Sequence, residues 1–179
     1  MFPIVRCFVK HITEQRAINS MVSDQRHEIA IACFRQADSF YFSAKDLSSI
    51  AIVEAKSGRI DESFERMIVL AVNYMFAAEL YLKAYYYGFT NDSDEKIKRY
   101  KHHVKRLYDD LPDDIKEKIF QASNFKSIKE MEKVIEINDS AFQEIRYCFE
   151  KDEFSFSIND APNIATACAK VIKPIILKS

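Results

Sequence analysis

Three observations point to an all-α fold. Two glycines and four prolines in 179 residues leave too few chain breakers for a turn-rich β architecture or a disordered chain. Between Arg59 and Gly88, apolar residues follow steps of three and four without interruption. The remaining apolar residues also recur at helical spacing, not at the alternating spacing of strands. The expected architecture is an antiparallel bundle of roughly four to five main helices joined by short ones.

The Arg59–Gly88 stretch is the expected central helix. Ile60, Phe64, Met67, Ala71, Met75, Ala78, Leu82 and Tyr85 form one stripe. Val69, Phe76, Leu80 and Tyr87 lie opposite it, so the helix should be walled in by neighbours. Gly88 fits a left-handed C-terminal cap, where a missing Cβ costs nothing. Its first turns are amphipathic, and from Met67 onward three polar residues, Asn73, Glu79 and Lys83, interrupt the apolar surface. The last two stand at the spacing and in the order of an intrahelical ion pair. Their charges, within too short an uncharged run, argue against a membrane span.

Before the central helix, residues 1–20 read as a leader: a docking arm, a swapped segment or a weakly ordered arm. Its apolar cluster is too short and too charged for a secretory signal. A single domain is expected over residues 21–179. Its first helix runs from about Asp24, a suitable cap, to Lys56. Ile29, Cys33, Ala37, Phe40, Ala44, Leu47 and Ala51 form its apolar stripe. A second cap at Ser43–Asp46 allows a break there. Gly58 ends the element, and a very short turn pairs it antiparallel with the central helix.

Beyond Gly88, a polar, acidic loop leads into Lys96–Arg106, which holds six Lys or Arg and two His. Val104, Leu107, Tyr108 and Leu111 make at least its second half helical. Lys98, Arg99, Lys101, Lys105 and Arg106 form a candidate nucleic-acid patch. Tyr100 and Tyr108 beside it suit base stacking. Pro112 stops that helix, and Asp113 and Asp114 suit the positive end of the next, from Ile115 to about Gln121. Ser127 caps another helix, with Ile128, Met131, Val134 and Ile135 inward. That helix either breaks at Asn138 or runs on through Phe142, Ile145 and Phe149. Residues 152–158 read as a loop with two core-seeking phenylalanines. Asp160 and Pro162 open the last helix, with Ile164, Cys168, Val171, Ile172 and Ile175 buried and Pro174 fraying or kinking its end.

The net charge of -1 gives no global attraction to nucleic acid or a membrane surface, so any such binding is local. Cys7, Cys33, Cys148 and Cys168 stand far apart, with none at metal-ligand spacing. Neither a metal nor a cofactor is expected. Reduced thiols suit a cytoplasmic protein.

Three runs, in their order and spacing, resemble the HEPN family of small helical domains. They are Ala77–Ala84, His102–Pro112 with its Leu-Pro ending, and the Arg-Tyr-x-Phe-Glu run within Phe142–Glu150. Gln36–Ala44 fits the family's first helix more loosely. The resemblance implies a bundle that forms a homodimer, and since Tyr85, Tyr86 and Tyr87 cannot all face one way on a helix, at least one of them is expected to be exposed as a contact. Many members are metal-independent endoribonucleases, marked by an Arg with a His about four to six positions on. Here Arg146 is followed at those distances by Glu150, Lys151 and Asp152, and Tyr147 takes the place of the polar neighbour. The nuclease motif is degenerate, because imidazole titrates near working pH and an ordinary carboxylate does not.

The resemblance therefore leans away from an enzyme. It implies a domain that binds RNA, a nucleotide or a partner protein, in a prokaryotic defence or toxin–antitoxin-like system. Two alternatives stand beside it. One is an active RNase using Arg146 with Glu150, or with His102 or His103. The other is a helical interaction module without a ligand. His102 matches the family's frequent histidine and is expected to be structural, helix capping being one such role. Glu79, Lys83, Arg146, Tyr147 and Glu150 are expected to form one polar cluster inside the bundle.

Overall fold

Two long helices, α1 (Pro3–Lys56) and α2 (Ile60–Phe89), form an antiparallel hairpin on which everything else is built. The computed structural model describes the backbone of residues 3–139 and 157–178, with side chains from residue 24 onward. Cross-links fix the direction of the hairpin. Ser63 Oγ donates to the Ala51 carbonyl, Arg66 to Glu54, Tyr81 to Asp38, and Arg26 to the Tyr86 carbonyl. The start of α2 thus meets the end of α1 at Ala51 and Glu54, and its later residues meet earlier ones, Asp38 and then Arg26. Gly58, at φ 82°, closes the turn in the left-handed region, as expected.

Ala30, Ala37, Ala44 and Ala51 recur every seventh residue of α1 and are almost completely buried. A seven-residue repeat keeps one line of a helix against a partner, and small side chains on that line let the backbones approach. No break occurs at Ser43–Asp46: the helix is continuous there, because the alanine line needs one unbroken helix. Its start also differs from expectation. The backbone is helical from Pro3, so Asp24 lies inside α1 and caps nothing.

Gly88 is likewise not a cap. It lies inside α2, and its conformation is ordinary. A Cβ there would stand 3.3 Å from Ala30 Cβ and 3.5 Å from Ile176 Cδ1, so glycine serves close packing.

The short helices follow: α3 (Asp94–Arg99), α4 (Val104–Asp109), α5 (Asp113–Ala122) and α6 (Ile128–Ile137). Ser93 Oγ accepts from Lys96 N, and Ser127 Oγ from Glu130 N, so both cap as serines do. α6 ends at Ile137, which favours the break at Asn138. That side chain is fully buried, donating to the Val134 carbonyl and accepting from Ser157 N. The expected continuation through Phe142, Ile145 and Phe149, and most of the 152–158 loop, lie outside the described residues.

The last helix, α7 (Ala161–Ile176), lies against α2 and runs past Pro174. Asp160 stands at its N-cap position without a capping bond. Its carboxylate accepts from Ser157 Oγ instead. No strand occurs among the described residues, and the fold is all-α.

α2 is the core helix. Among the described residues it alone is long and apolar enough to cross a bilayer, and most of its apolar stretch is buried by the other helices. Its apolar stripe is covered from Ala71 onward. At its N-terminal end Ile60 is 62% and Phe64 57% exposed, against expectation, because α7 begins lower on the hairpin. An apolar groove of about 300 Å³ opens at that level, between Ile52 of α1, Met67 of α2 and Pro162 of α7.

Candidate functional site

Lysines and arginines of the 96–106 stretch meet two different fates. Lys96 bonds Asp92 at 3.0 Å, and Lys105 bonds both Asp109 oxygens at 2.5 and 2.6 Å. Lys105 is half-buried and spent on that carboxylate, so it leaves the expected patch. Lys98, Arg99, Lys101 and Arg106 are exposed, and among the described residues no carboxylate pairs with them.

These four cations flank a break between α3 and α4. The second half of the stretch is helical as expected, in α4, and the chain breaks before it at Lys101, whose φ is 49°. Left-handed backbone costs a non-glycine residue about 1 kcal/mol, so the surroundings must enforce it. α2 does so. Lys83 Nζ donates to the Lys101 carbonyl at 2.6 Å and to Glu79 Oε1 at 2.6 Å. Glu79 is buried, and its carboxylate also meets His102 Nδ1 at 3.2 Å. The half-exposed His102 ring lies near Phe76. Cys33 sits close to these charges, and burial pushes its thiol above the usual range.

The far side of the turn is held from α6. Asp139 Oδ1 accepts from Lys105 N at 2.6 Å, and Oδ2 meets His103 Nδ1 at 2.9 Å. Capping of α4 therefore belongs to Asp139. His103, at the N-cap position, makes no capping bond, and His102 turns to Glu79. The two adjacent histidines point to different carboxylates, which pin the turn at both edges.

Both tyrosines of the stretch are turned inward. Tyr100 donates to Asp110 and lies near Tyr86, and Tyr108 is 1% exposed. Neither can stack on a base. Tyr85 and Tyr86 are buried as well, and Tyr87 is half-buried under the Arg26 guanidinium. The expected exposed tyrosine contact is therefore absent from that run, because three successive residues cover most of the circumference of a helix already enclosed by α1 and the α3–α4 segment.

Of the expected polar cluster, Glu79 and Lys83 meet as foreseen. Arg146, Tyr147 and Glu150 lie outside the described residues. Two side chains that the sequence reading passed over complete the picture. Asp38 accepts from Tyr81 Oη at 2.5 Å and from Lys173 Nζ at 2.9 Å, tying α1, α2 and α7 together. Asp139, an acid beside a turn, gave no periodic signal. Among the described residues no three His, Cys, Asp or Glu side chains gather closely enough to hold a metal ion.

Comparison with protein-family models, with curated proteins and with solved structures returns no match. The site's own chemistry is that of a left-handed cationic turn, fixed by two carboxylates and one lysine, with its tyrosine rings hidden.

Proposed function

We propose that this chain is a HEPN-like cytoplasmic binding domain whose α3–α4 turn takes RNA by its phosphates. The observation that carries this reading is the exposure of Lys98, Arg99, Lys101 and Arg106 on a turn anchored to the core helix. Cations that lack acid partners and sit on a rigid loop lose little on binding phosphate. A net charge of -1 makes the attraction local, which suits a binding module within a prokaryotic defence or toxin–antitoxin-like system.

Fluorescence anisotropy with labelled RNA tests it. Binding should weaken steeply with salt and fall at least tenfold in the double variant Lys98→Glu/Arg106→Glu. Equal affinity of that folded variant and the wild type would end the reading. RNA cleavage lost in Arg146→Ala would instead favour an active nuclease.

A second reading rests on the bare end of the hairpin, where Ile60, Phe64 and the groove beside them are exposed. The family resemblance supplies the partner, a second copy of the chain. Sedimentation at micromolar concentration should then give a dimer that Phe64→Glu dissociates. A monomeric wild type would exclude it.

A further inference from the structure

The cationic turn carries more information than its charge. Lys98, Arg99, Lys101 and Arg106 are exposed, while Tyr100 and Tyr108 of the same stretch face the core. The histidine rings of the turn are half-buried and held by Glu79 and Asp139. Proteins that bind single strands combine cations with exposed rings on which unpaired bases stack, and each stacked base is worth about 1–3 kcal/mol. Among the described residues this turn offers the cations without an exposed tyrosine, and its most open ring, His102 at 39% side-chain exposure, is tied to Glu79. It also lacks an exposed amide for an adenine edge, which leaves its Arg and Lys side chains as the groups that meet a ligand: its side chains from Lys96 to Arg106 are Lys, Arg, His, Ile, Tyr and Val.

We infer that the ligand of the α3–α4 turn is a double-stranded nucleic acid, held by its phosphates alone and without regard to sequence. A duplex hides its bases and presents the densest row of phosphates, which is the chemistry that such a surface can use. Three acids beside the patch are engaged elsewhere, Asp92 on Lys96, Asp109 on Lys105 and Asp94 on Arg26, while Glu95 stays exposed on α3. They frame a narrow footprint of about four phosphate contacts. The inference rests on the phosphate-binding reading above and narrows it to one class of ligand.

The test compares one labelled sequence as duplex RNA, as duplex DNA and as single-stranded RNA, together with a duplex of scrambled sequence. Full-length protein is titrated between 50 and 200 mM salt. Four contacts predict a loss of roughly 100-fold in duplex affinity over that range and a shallower slope for the single strand. Both duplexes of RNA should bind equally, and more tightly than the single strand. Equal binding of duplex DNA means that only phosphates are read, and weaker binding means that A-form geometry contributes; either is a duplex ligand. A preference for the single strand, or for one sequence, overturns the inference while leaving phosphate binding intact. Salt-insensitive or undetectable binding of every probe overturns both. Lys98→Glu/Arg106→Glu changes exposed helix positions and should keep its melting temperature while losing the duplex.

Discussion

Lys83 Nζ lies 2.6 Å from the Lys101 carbonyl and 2.6 Å from Glu79 Oε1, so one ammonium both neutralises a buried acid and fixes a strained backbone. Removing it does two kinds of damage. Lys83→Met leaves the Glu79 carboxylate buried with His102 as its one remaining ionic partner among the described residues, and breaking a buried pair costs roughly 3–5 kcal/mol. His102 offsets part of that, so a loss of about 3 kcal/mol is expected in urea unfolding. Glu79→Leu alone should also destabilise. Glu79→Leu/Lys83→Met should recover most of the loss, because an apolar pair of similar volume satisfies the site. Additive single losses in the double variant would refute the coupling.

Gly88→Ala sets two known effects against each other. Alanine is favoured over glycine inside a helix by about 1 kcal/mol. The new Cβ would stand 3.3 Å from Ala30 Cβ, and neither atom can rotate away. Overpacking of this kind costs typically 1–3 kcal/mol, so a net loss of about 1 kcal/mol is expected. Gly58→Ala has open space around the new Cβ but a φ of 82°, and it should lose about 1–2 kcal/mol through strain alone. Thermal melts separate the cases: Gly88→Ser should be worse than Gly88→Ala, while Gly58→Asn should nearly match the wild type. A stabilised Gly88→Ala would show that α1 and α2 are free to move apart.

The fold class was legible because periodicity and scarce breakers act locally. Gly88 misled because a glycine after an apolar run fits either a cap or a close crossing, and only the facing helix decides. Ile60 and Phe64 misled for a related reason: spacing marks the face that a helix offers, not how far its neighbour extends. The cations of the turn were visible as a run. Which of them remain unpaired depends on Asp92 and Asp109, and which rings hide depends on the break at Lys101. That break is enforced from Lys83, eighteen positions away. The reading of Glu79 reached its helical partner Lys83 at once and missed His102, because contact across a loop leaves no spacing in the sequence.

At the tip of the hairpin, buried Glu54 accepts from Arg66 Nε at 2.7 Å and Nη2 at 2.8 Å, with Arg59 at 3.7 Å. The Arg66 bonds hold the Glu54 carboxyl below its ordinary value of 4.5, against the opposing effect of burial. A depressed carboxyl binds fewer protons in the folded state than in the unfolded one. Its contribution is therefore present above pH 4.5 and lost as pH falls through the folded value. Glu54→Gln should be less stable than the wild type at pH 7, and the gap should close between pH 4.5 and lower pH. Melting temperatures that stay equally far apart at pH 7 and pH 3 would mean that the arginine bonds contribute nothing pH-dependent.

Tyr108 and Tyr86 are both buried phenols whose ionisation burial disfavours, yet they differ in one bond. Tyr86 Oη donates to the Leu107 carbonyl at 2.8 Å. Tyr108 Oη, equally removed from water, has no hydrogen-bond partner among the described residues. A buried hydroxyl without a partner costs about 1–3 kcal/mol, whereas a satisfied one contributes about 1 kcal/mol. Removing each oxygen should therefore act in opposite directions. Tyr108→Phe is expected to raise the melting temperature, by about 1 kcal/mol of stability. Tyr86→Phe is expected to lower it by a similar amount, because it orphans the Leu107 carbonyl. The ring is retained in both, so packing is unchanged and the sign reports the oxygen alone. A destabilised Tyr108→Phe would reveal that its hydroxyl is satisfied in solution by water or by a neighbouring group.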